Sequence, residues 1–257
     1  MEASFYEEYA RVEASHWWFV GRRKIFDAVL RSLDLPTGSR LLDLGCGTGV
    51  NLDFLAGYGE AMGLDWDAAA ARYARKRSPA PVLRGDVTAL PFPNESVDLV
   101  TALDLIEHIE DDSACAAELA RLCRPGGFVL ATVPAAPWMW GRQDVISQHK
   151  RRYRASEFRR LLAGQGLEIV QFTHINTLLF PVIALLRLLR RVFPEGESDL
   201  KSDFSMTDPG PLNTLLGAVF GAEARMIQRF SLPFGVSLLC VARKPATDRL
   251  EPERMPS

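Results

Sequence analysis

Three glycines at alternate positions, Gly45, Gly47 and Gly49, follow Leu41-Leu42-Asp43-Leu44, a short apolar run that carries an acid. Lacking a Cβ, glycine reaches positive φ and lets backbone amides come close to a bound molecule. Val50-Asn51-Leu52-Asp53-Phe54-Leu55 then sets apolar side chains at helical spacing, so the turn opens a helix. A strand, a glycine turn and a helix N-terminus together make a nucleotide-type pocket at the carboxyl edge of a sheet. Spacing narrows the ligand. A dinucleotide turn places its third glycine three residues after the second; here Val50 holds that position and the third glycine comes one residue early, at Gly49.

Further acids recur at the ends of later apolar runs. Ala61-Met62-Gly63-Leu64-Asp65-Trp66-Asp67 reads as a second buried strand ending in a carboxylate. A carboxylate there can accept both ribose hydroxyls, in charge-assisted bonds worth ~1.5–3 kcal/mol each, or it can cap the helix starting at Ala68. Trp66, next to it, is placed to lie against a purine ring. Val82-Leu83-Arg84-Gly85-Asp86-Val87 gives a third strand ending in an acid, and Val97 to Asp104 a fourth apolar run, followed by Leu105-Ile106-Glu107-His108-Ile109. Leu122 to Leu130 reads as a helix end, a Pro-Gly-Gly turn and a fifth strand.

In this order the segments resemble class I S-adenosylmethionine-dependent methyltransferases of the small-molecule, methyltransferase-11-like type, over roughly residues 16–173 and 236–244. The resemblance implies a Rossmann-like α/β fold: a seven-stranded, mostly parallel sheet with helices on both faces and an antiparallel last strand. It implies S-adenosylmethionine as cofactor, with Gly45, Cys46, Gly47 and Gly49 around its methionyl part and ribose. Asp43 is then expected at the donor's amino group, Asp65 at the ribose, Trp66 against the adenine, and Asp86 at the adenine amino group with Val87 beside it. Leu103, with Asp104, is expected to flank the methyl-bearing end. In enzymes of this kind an N-terminal arm closes over the donor, which makes Arg22 a partner for the donor carboxylate through fork-to-fork pairing.

Methyl transfer from a sulfonium needs orientation, worth ~7–11 kcal/mol, and a general base adding ~10²–10⁴-fold when the nucleophile starts protonated. It requires neither a nucleophilic side chain nor a metal, and no metal is expected. His149, whose ordinary pKa lies near neutrality, is the leading candidate base; Glu107 and His108 form a rival pair at the end of the fourth strand. On the acceptor side, Trp138 and Trp140 are placed to wall an apolar molecule, and Arg151, Arg152 and Tyr153 to grip a phosphate or carboxylate. A solvated basic face is the plainer reading of the same arginines. Trp17, within His16-Trp17-Trp18-Phe19, either closes the acceptor pocket or packs an amphipathic helix on the domain flank.

Apolar strands must hold these groups, and they are expected at 40–44, 60–65, 82–85, 97–103, 127–133, 167–173 and 236–243, alternating with helical patterns. The implied organisation is an N-terminal helical arm or lid over 1–35, a donor-binding core over 36–173 and 236–244, and a helical insertion over 174–235. A disordered tail is expected over 245–257. An insertion so long between the last two strands usually carries function. Between Lys150 and Arg191 it and its approach hold nine Lys/Arg against two Glu, and 177–193 is strongly apolar. That suits an active-site lid, a helix lying at an anionic membrane surface, or a dimer interface.

The 257 residues are 47% hydrophobic and 24% charged with a net charge of −2, the balance of a globular protein without the basic excess of a nucleic-acid binder. Four scattered cysteines without a C-x-x-C pair suit a reducing cytoplasm, as does the lack of a signal-like opening, and no run of apolar residues is long enough for a spanning helix. The resulting expectation is an enzyme that methylates a small or lipid-linked acceptor, at oxygen by preference, in the cytoplasm with membrane contact through 177–193. The alternatives are a donor-binding subunit without catalysis, or a nicotinamide-dependent oxidoreductase, which Val50 disfavours.

Overall fold

The computed structural model describes residues 10–192 and 210–246. A helix α1 (Trp17–Leu30) precedes an alternating core of β1 (Arg40–Leu44), α2 (Leu52–Leu55), β2 (Glu60–Asp65), α3 (Ala68–Arg77), β3 (Val82–Arg84) and β4 (Val97–Leu103). There follow α4 (Asp112–Leu122), β5 (Cys123–Pro134), α5 (Arg142–Ile146), α6 (Ala155–Ala163) and β6 (Glu168–Ile175). Two further helices, α7 (Phe180–Val192) and α8 (Pro211–Ile227), precede β7 (Ser237–Arg243).

The seven strands form one sheet in the order β3-β2-β1-β4-β5-β7-β6. All pairings are parallel except those of β7, which runs antiparallel to β5 and β6. The central strands are buried on both faces, which is why Leu41-Leu42-Asp43-Leu44 and Val97 to Ala102 read as continuous apolar runs. One face packs Val100, Leu119, Val129 and Phe158 together, and the other packs Ile25, Leu41, Leu99, Leu130 and Phe220. Chain order runs outward from β1 to β3 and then returns to β4 on the opposite side. The loops after β1 and β4 therefore diverge and open a crevice at the strands' carboxyl ends.

The expected strands appear with ends shifted by at most two residues, except β5, which starts at Cys123 rather than 127 and takes in the Pro-Gly-Gly segment expected as a turn. The glycine turn opens a helix of only four residues, Leu52–Leu55. The two expected insertion helices are present as α7 and α8, and the polar stretch between them lies outside the described residues, as does nearly all of the expected tail. The N-terminal arm and the insertion form one layer: α1 packs along α8 so closely that a Cβ on Gly21 would stand 2.5 Å from the Phe220 ring. Asn213 ties the two together, accepting from the Trp17 amide (2.8 Å) and donating to the Ser15 carbonyl (2.8 Å).

Asp43 is buried inside the sheet, where it accepts a 2.5 Å hydrogen bond from the Thr101 hydroxyl of β4. Burial pushes its carboxyl up to about 7, against the opposing pull of Thr101. The folded chain thus holds this proton more tightly than the unfolded one, so the stability due to this group is lost as pH rises from about 4 through 7. Asp43→Asn keeps the shape and the accepting oxygen without the charge. Its melting temperature should match the parent near pH 4 and exceed it at pH 8, by about 4–8 °C for a difference of about 2 kcal/mol. Thermal melts across that range check this, and a pH-independent difference would place the proton elsewhere.

Candidate functional site

The crevice is a cavity of about 1140 Å³, bounded by the glycine turn, the ends of β2, β3 and β4, helix α1, the segment around His149, and α7. Pockets for a drug-sized ligand are typically about 300–1,000 Å³, so there is room for a nucleoside and part of a second molecule. Gly47 turns at φ +55° with open space where a Cβ would stand, and its amide donates to Asp65 (2.8 Å). The other Asp65 oxygen accepts from the Asp67 amide (2.8 Å). Burial raises the Asp65 carboxyl, and these two amides oppose the rise. A carboxylate has roughly four acceptor positions, so Asp65 keeps capacity toward the cavity. Trp66 is 65% exposed and borders the same space.

Gly45, Cys46, Gly47, Asp65, Trp66, Asp86, Val87, Leu103 and Arg22 all line the cavity, as do Glu107, His108, His149, Trp17 and Arg152. Several expected members stand outside it. Asp43 lies behind the glycine turn with Thr101, because its position on β1 points it into the sheet. Gly49, at φ +80°, is spent on packing: a Cβ there would meet the Ala74 backbone at 2.9 Å. Tyr153 is core, its hydroxyl donating to Asp112 (2.8 Å), and Arg151 pairs with the same carboxylate (2.9 Å). Trp138 meets the Phe180 ring on the outer surface (centroids 6.1 Å), and the Trp140 carbonyl accepts from Arg191 (3.1 Å). Arg152 does line the cavity, but its guanidinium is committed to Asp144 (2.7 Å) and the Ala135 carbonyl (2.8 Å).

Arg22 is ion-paired to Asp104 and donates to the Thr132 hydroxyl (2.8 Å), with its guanidinium 5.2 Å above the Phe26 ring. Burial works against the Asp104 charge, and Arg22 more than offsets it, holding the carboxyl below its usual range. Asp104 adopts φ +55°, which turns the chain sharply out of β4. The arm is anchored on the glycine turn by Glu13, which accepts from the Thr48 hydroxyl and from Arg77 (2.7 Å).

Opposite these groups, Asp144 organises His149. Burial would raise its carboxyl, but His149, Arg152 and the Gly141 amide together hold it down to about 2. An ionised carboxylate can only accept, so the 2.9 Å contact to Nδ1 assigns the imidazole proton to Nδ1. Nε2 then carries the lone pair, 3.9 Å from Glu107 Oε1. Glu107 is fully buried, neither carboxylate oxygen has a hydrogen-bond partner, and burial together with Asp104 raises its pKa well above the ordinary range. His108 stands edge-on to His149 (centroids 4.8 Å), and burial beside that second imidazole pushes it down to about 4, so it is neutral. The ligand atoms of Glu107, His108 and His149 lie within 4.8 Å of one another. Asp144 was not among the residues expected from sequence; its one signal is an acid five residues before a histidine in the same loop.

Comparison with known proteins agrees with this geometry. Residues 42–131 match a family described as a methyltransferase domain. A probable S-adenosylmethionine-dependent methyltransferase of Mycolicibacterium smegmatis is 31% identical over 158 residues, 60% of each chain. A ubiquinone biosynthesis O-methyltransferase of Thiobacillus denitrificans is 31% identical over 45% of this chain and 56% of its own. The chain thus spans about 60% of the length of the relatives it matches. Among solved structures, the putative methyltransferase bound to the Trm112 activator of Haloferax volcanii superposes with a TM-score of 0.61 at 20% identity. That alignment covers 93% of this chain and 94% of that one.

Removing the Arg22 guanidinium would leave Asp104 without its cation. Arg22→Ala should lower stability by about 2 kcal/mol or more, and Arg22→Ala combined with Asp104→Ala should recover part of that loss. Denaturant titration of the single and double variants measures both. Additive losses would show that the pair is not coupled.

Proposed function

We propose that this chain, whose residues 42–131 match a methyltransferase domain and which resembles S-adenosylmethionine-dependent methyltransferases, binds S-adenosylmethionine and methylates an oxygen of a small or lipid-linked acceptor, with His149 as general base. The observation carrying this reading is that His149, its Nδ1 held 2.9 Å from the Asp144 carboxylate, lines the same cavity as Gly47 and Asp65. The donor supplies a methyl group already activated on a sulfonium. Asp65, with acceptor capacity left after its two amide bonds, suits a ribose diol, and the exposed indole of Trp66 suits an adenine face. Asp86, whose oxygen already accepts from Thr88, is available to the adenine amino group at the cavity edge. The Arg22–Asp104 pair offers one charge of each sign to the zwitterionic methionyl end.

At the acceptor, the fixed tautomer does the chemistry. Asp144 keeps the proton on Nδ1, so Nε2 can take one from a hydroxyl and the resulting imidazolium is stabilised by the carboxylate 2.9 Å away. Burial and the neighbouring Asp104 push the Glu107 carboxyl toward its neutral form, which lessens the negative charge 3.9 Å from Nε2. An acceptor seated against the apolar residues of α1 and α7 that line the cavity would displace water there, which favours neutralisation of a nascent oxyanion against a sulfonium. The name of the Thiobacillus relative, an O-methyltransferase, supports oxygen as acceptor atom.

Two measurements test the two halves of the site. Asp65→Ala should weaken S-adenosylmethionine binding about 30-fold, equivalent to about 2 kcal/mol, by calorimetry; an unchanged affinity would put the ribose elsewhere. His149→Ala should lower turnover about 100-fold or more at unchanged donor affinity. Turnover is read by mass spectrometry as the gain of one CH₂ on an acceptor from cell extracts. Activity should survive a chelator; its loss would instead assign Glu107, His108 and His149 to a bound cation.

A further inference from the structure

Helix α7 is apolar on opposite sides. Ile183, Leu186, Arg187 and Arg190, spaced i, i+3, i+4 and i+7, line the cavity. Leu185, Leu188, Leu189 and Val192 repeat that spacing on the other side and are 45–70% exposed. Only Ala184 of the whole helix is buried. The cavity side thus mixes apolar residues with two arginines, while the outer stripe is wholly apolar. Here one side faces a ligand cavity and the other faces outward.

The surroundings indicate what the outer stripe meets. From Asn176 to Val192 there are three arginines and no acid. At the start of α7, Phe180 stacks with Trp138 (centroids 6.1 Å) and Phe234 (5.5 Å), and both partners are about half exposed. Within 176–192, leucines backed by a Trp/Phe cluster and accompanied by arginines form the pattern of a helix lying in the interface of an anionic bilayer. The cavity opens at this same place, since Val182 and Leu186 line it while being 59% and 50% exposed.

We propose that the outer stripe of α7 docks on an anionic membrane surface, so that the cavity mouth opens into the lipid interface and receives an amphiphilic acceptor with its apolar part along α7. The docking surface stands on this geometry; what enters the cavity rests on the methyltransferase reading above. No described helix is long and apolar enough to cross a bilayer, which agrees with a helix lying in its plane. At the end of α7, Arg191 donates to the Trp138 and Trp140 carbonyls, which sets one guanidinium beside the aromatic cluster at the rim of the stripe.

Flotation of the full chain with phosphatidylcholine vesicles, with and without phosphatidylglycerol, tests the proposal. The protein should rise with the anionic vesicles, less so at high salt, and stay down with the neutral ones. The double variant Leu185→Glu, Leu189→Glu touches no cavity residue; it should stay down with both while keeping its melting temperature and donor affinity. Three results would overturn the proposal: a parent chain that never floats, a double variant that floats as the parent does, or a parent dimer that the double variant breaks without any vesicle binding. Because donor affinity is measured in parallel, failure of docking with intact S-adenosylmethionine binding leaves the methyltransferase reading standing. Lost donor binding in the parent overturns that reading instead.

Discussion

A carboxylate withdrawn from water must meet donors or a cation, or else keep its proton, and the cavity is organised by how each of its acids satisfies that requirement. Asp65 is met by two backbone amides, one of them supplied by the glycine turn. Asp104 is met by Arg22, and Asp144 by an imidazole, a guanidinium and an amide. Asp43 and Glu107 find too little and are pushed toward the neutral form. Charge is therefore kept where amides or a cation meet it, as at Asp104 and Asp144, and opposed where burial finds too few donors, as at Asp43 and Glu107. Removing the glycine-turn amide would undo this at its root, because Gly47 joins the end of β1 to the end of β2 through Asp65.

That requirement also explains how the N-terminal arm is bound into the site. Arg22 comes from α1, and Asp104 and Thr132 come from two adjacent strands, so a single guanidinium staples the helical layer to the carboxyl edge of the sheet. Glu13 does the same on the other side, reaching Thr48 of the glycine turn and Arg77 at the end of α3. With α1 fixed at both points, the close packing of Gly21 on Phe220 carries α8 along with it. Arm and insertion, far apart in sequence, become one roof.

The sheet was legible because both faces of its central strands are covered, which writes buried strands as unbroken apolar runs such as Val97 to Ala102. The cavity-lining acids Asp65 and Asp86 were legible for a related reason: an acid ending such a run stands at the strand tip. The rule misled for Asp43, which sits before the end of β1 rather than at it, and so points into the sheet toward Thr101. Gly49 was misjudged because spacing cannot tell a glycine that clears room for a ligand from one that clears room for Ala74. Tyr153 and Arg151 looked like ligands for an anion, yet Asp112, some forty residues away in sequence, had already taken both. Pairings of that range leave no local trace. Asp144 is missed for a different reason: its partners His149 and Arg152 lie close by in sequence, but their spacing fits no regular period that would mark them as contacts.

Asp144 also bears on whether the base depends on the position of α7. Four groups converge on its two oxygens: the Gly141 amide at 2.8 Å, His149 at 2.9 Å, Arg152 at 2.7 Å and, from α7, Arg187 at 3.5 Å. The first three belong to one stretch of chain, residues 141–152, and hold the carboxylate ionised through short bonds. Arg187 makes the longest contact, and its guanidinium also reaches the Met139 carbonyl. If α7 shifts, Asp144 loses its weakest partner and keeps its three shorter bonds, so the proton stays on Nδ1. The cavity wall formed by α7 can therefore move without disturbing the His149 tautomer.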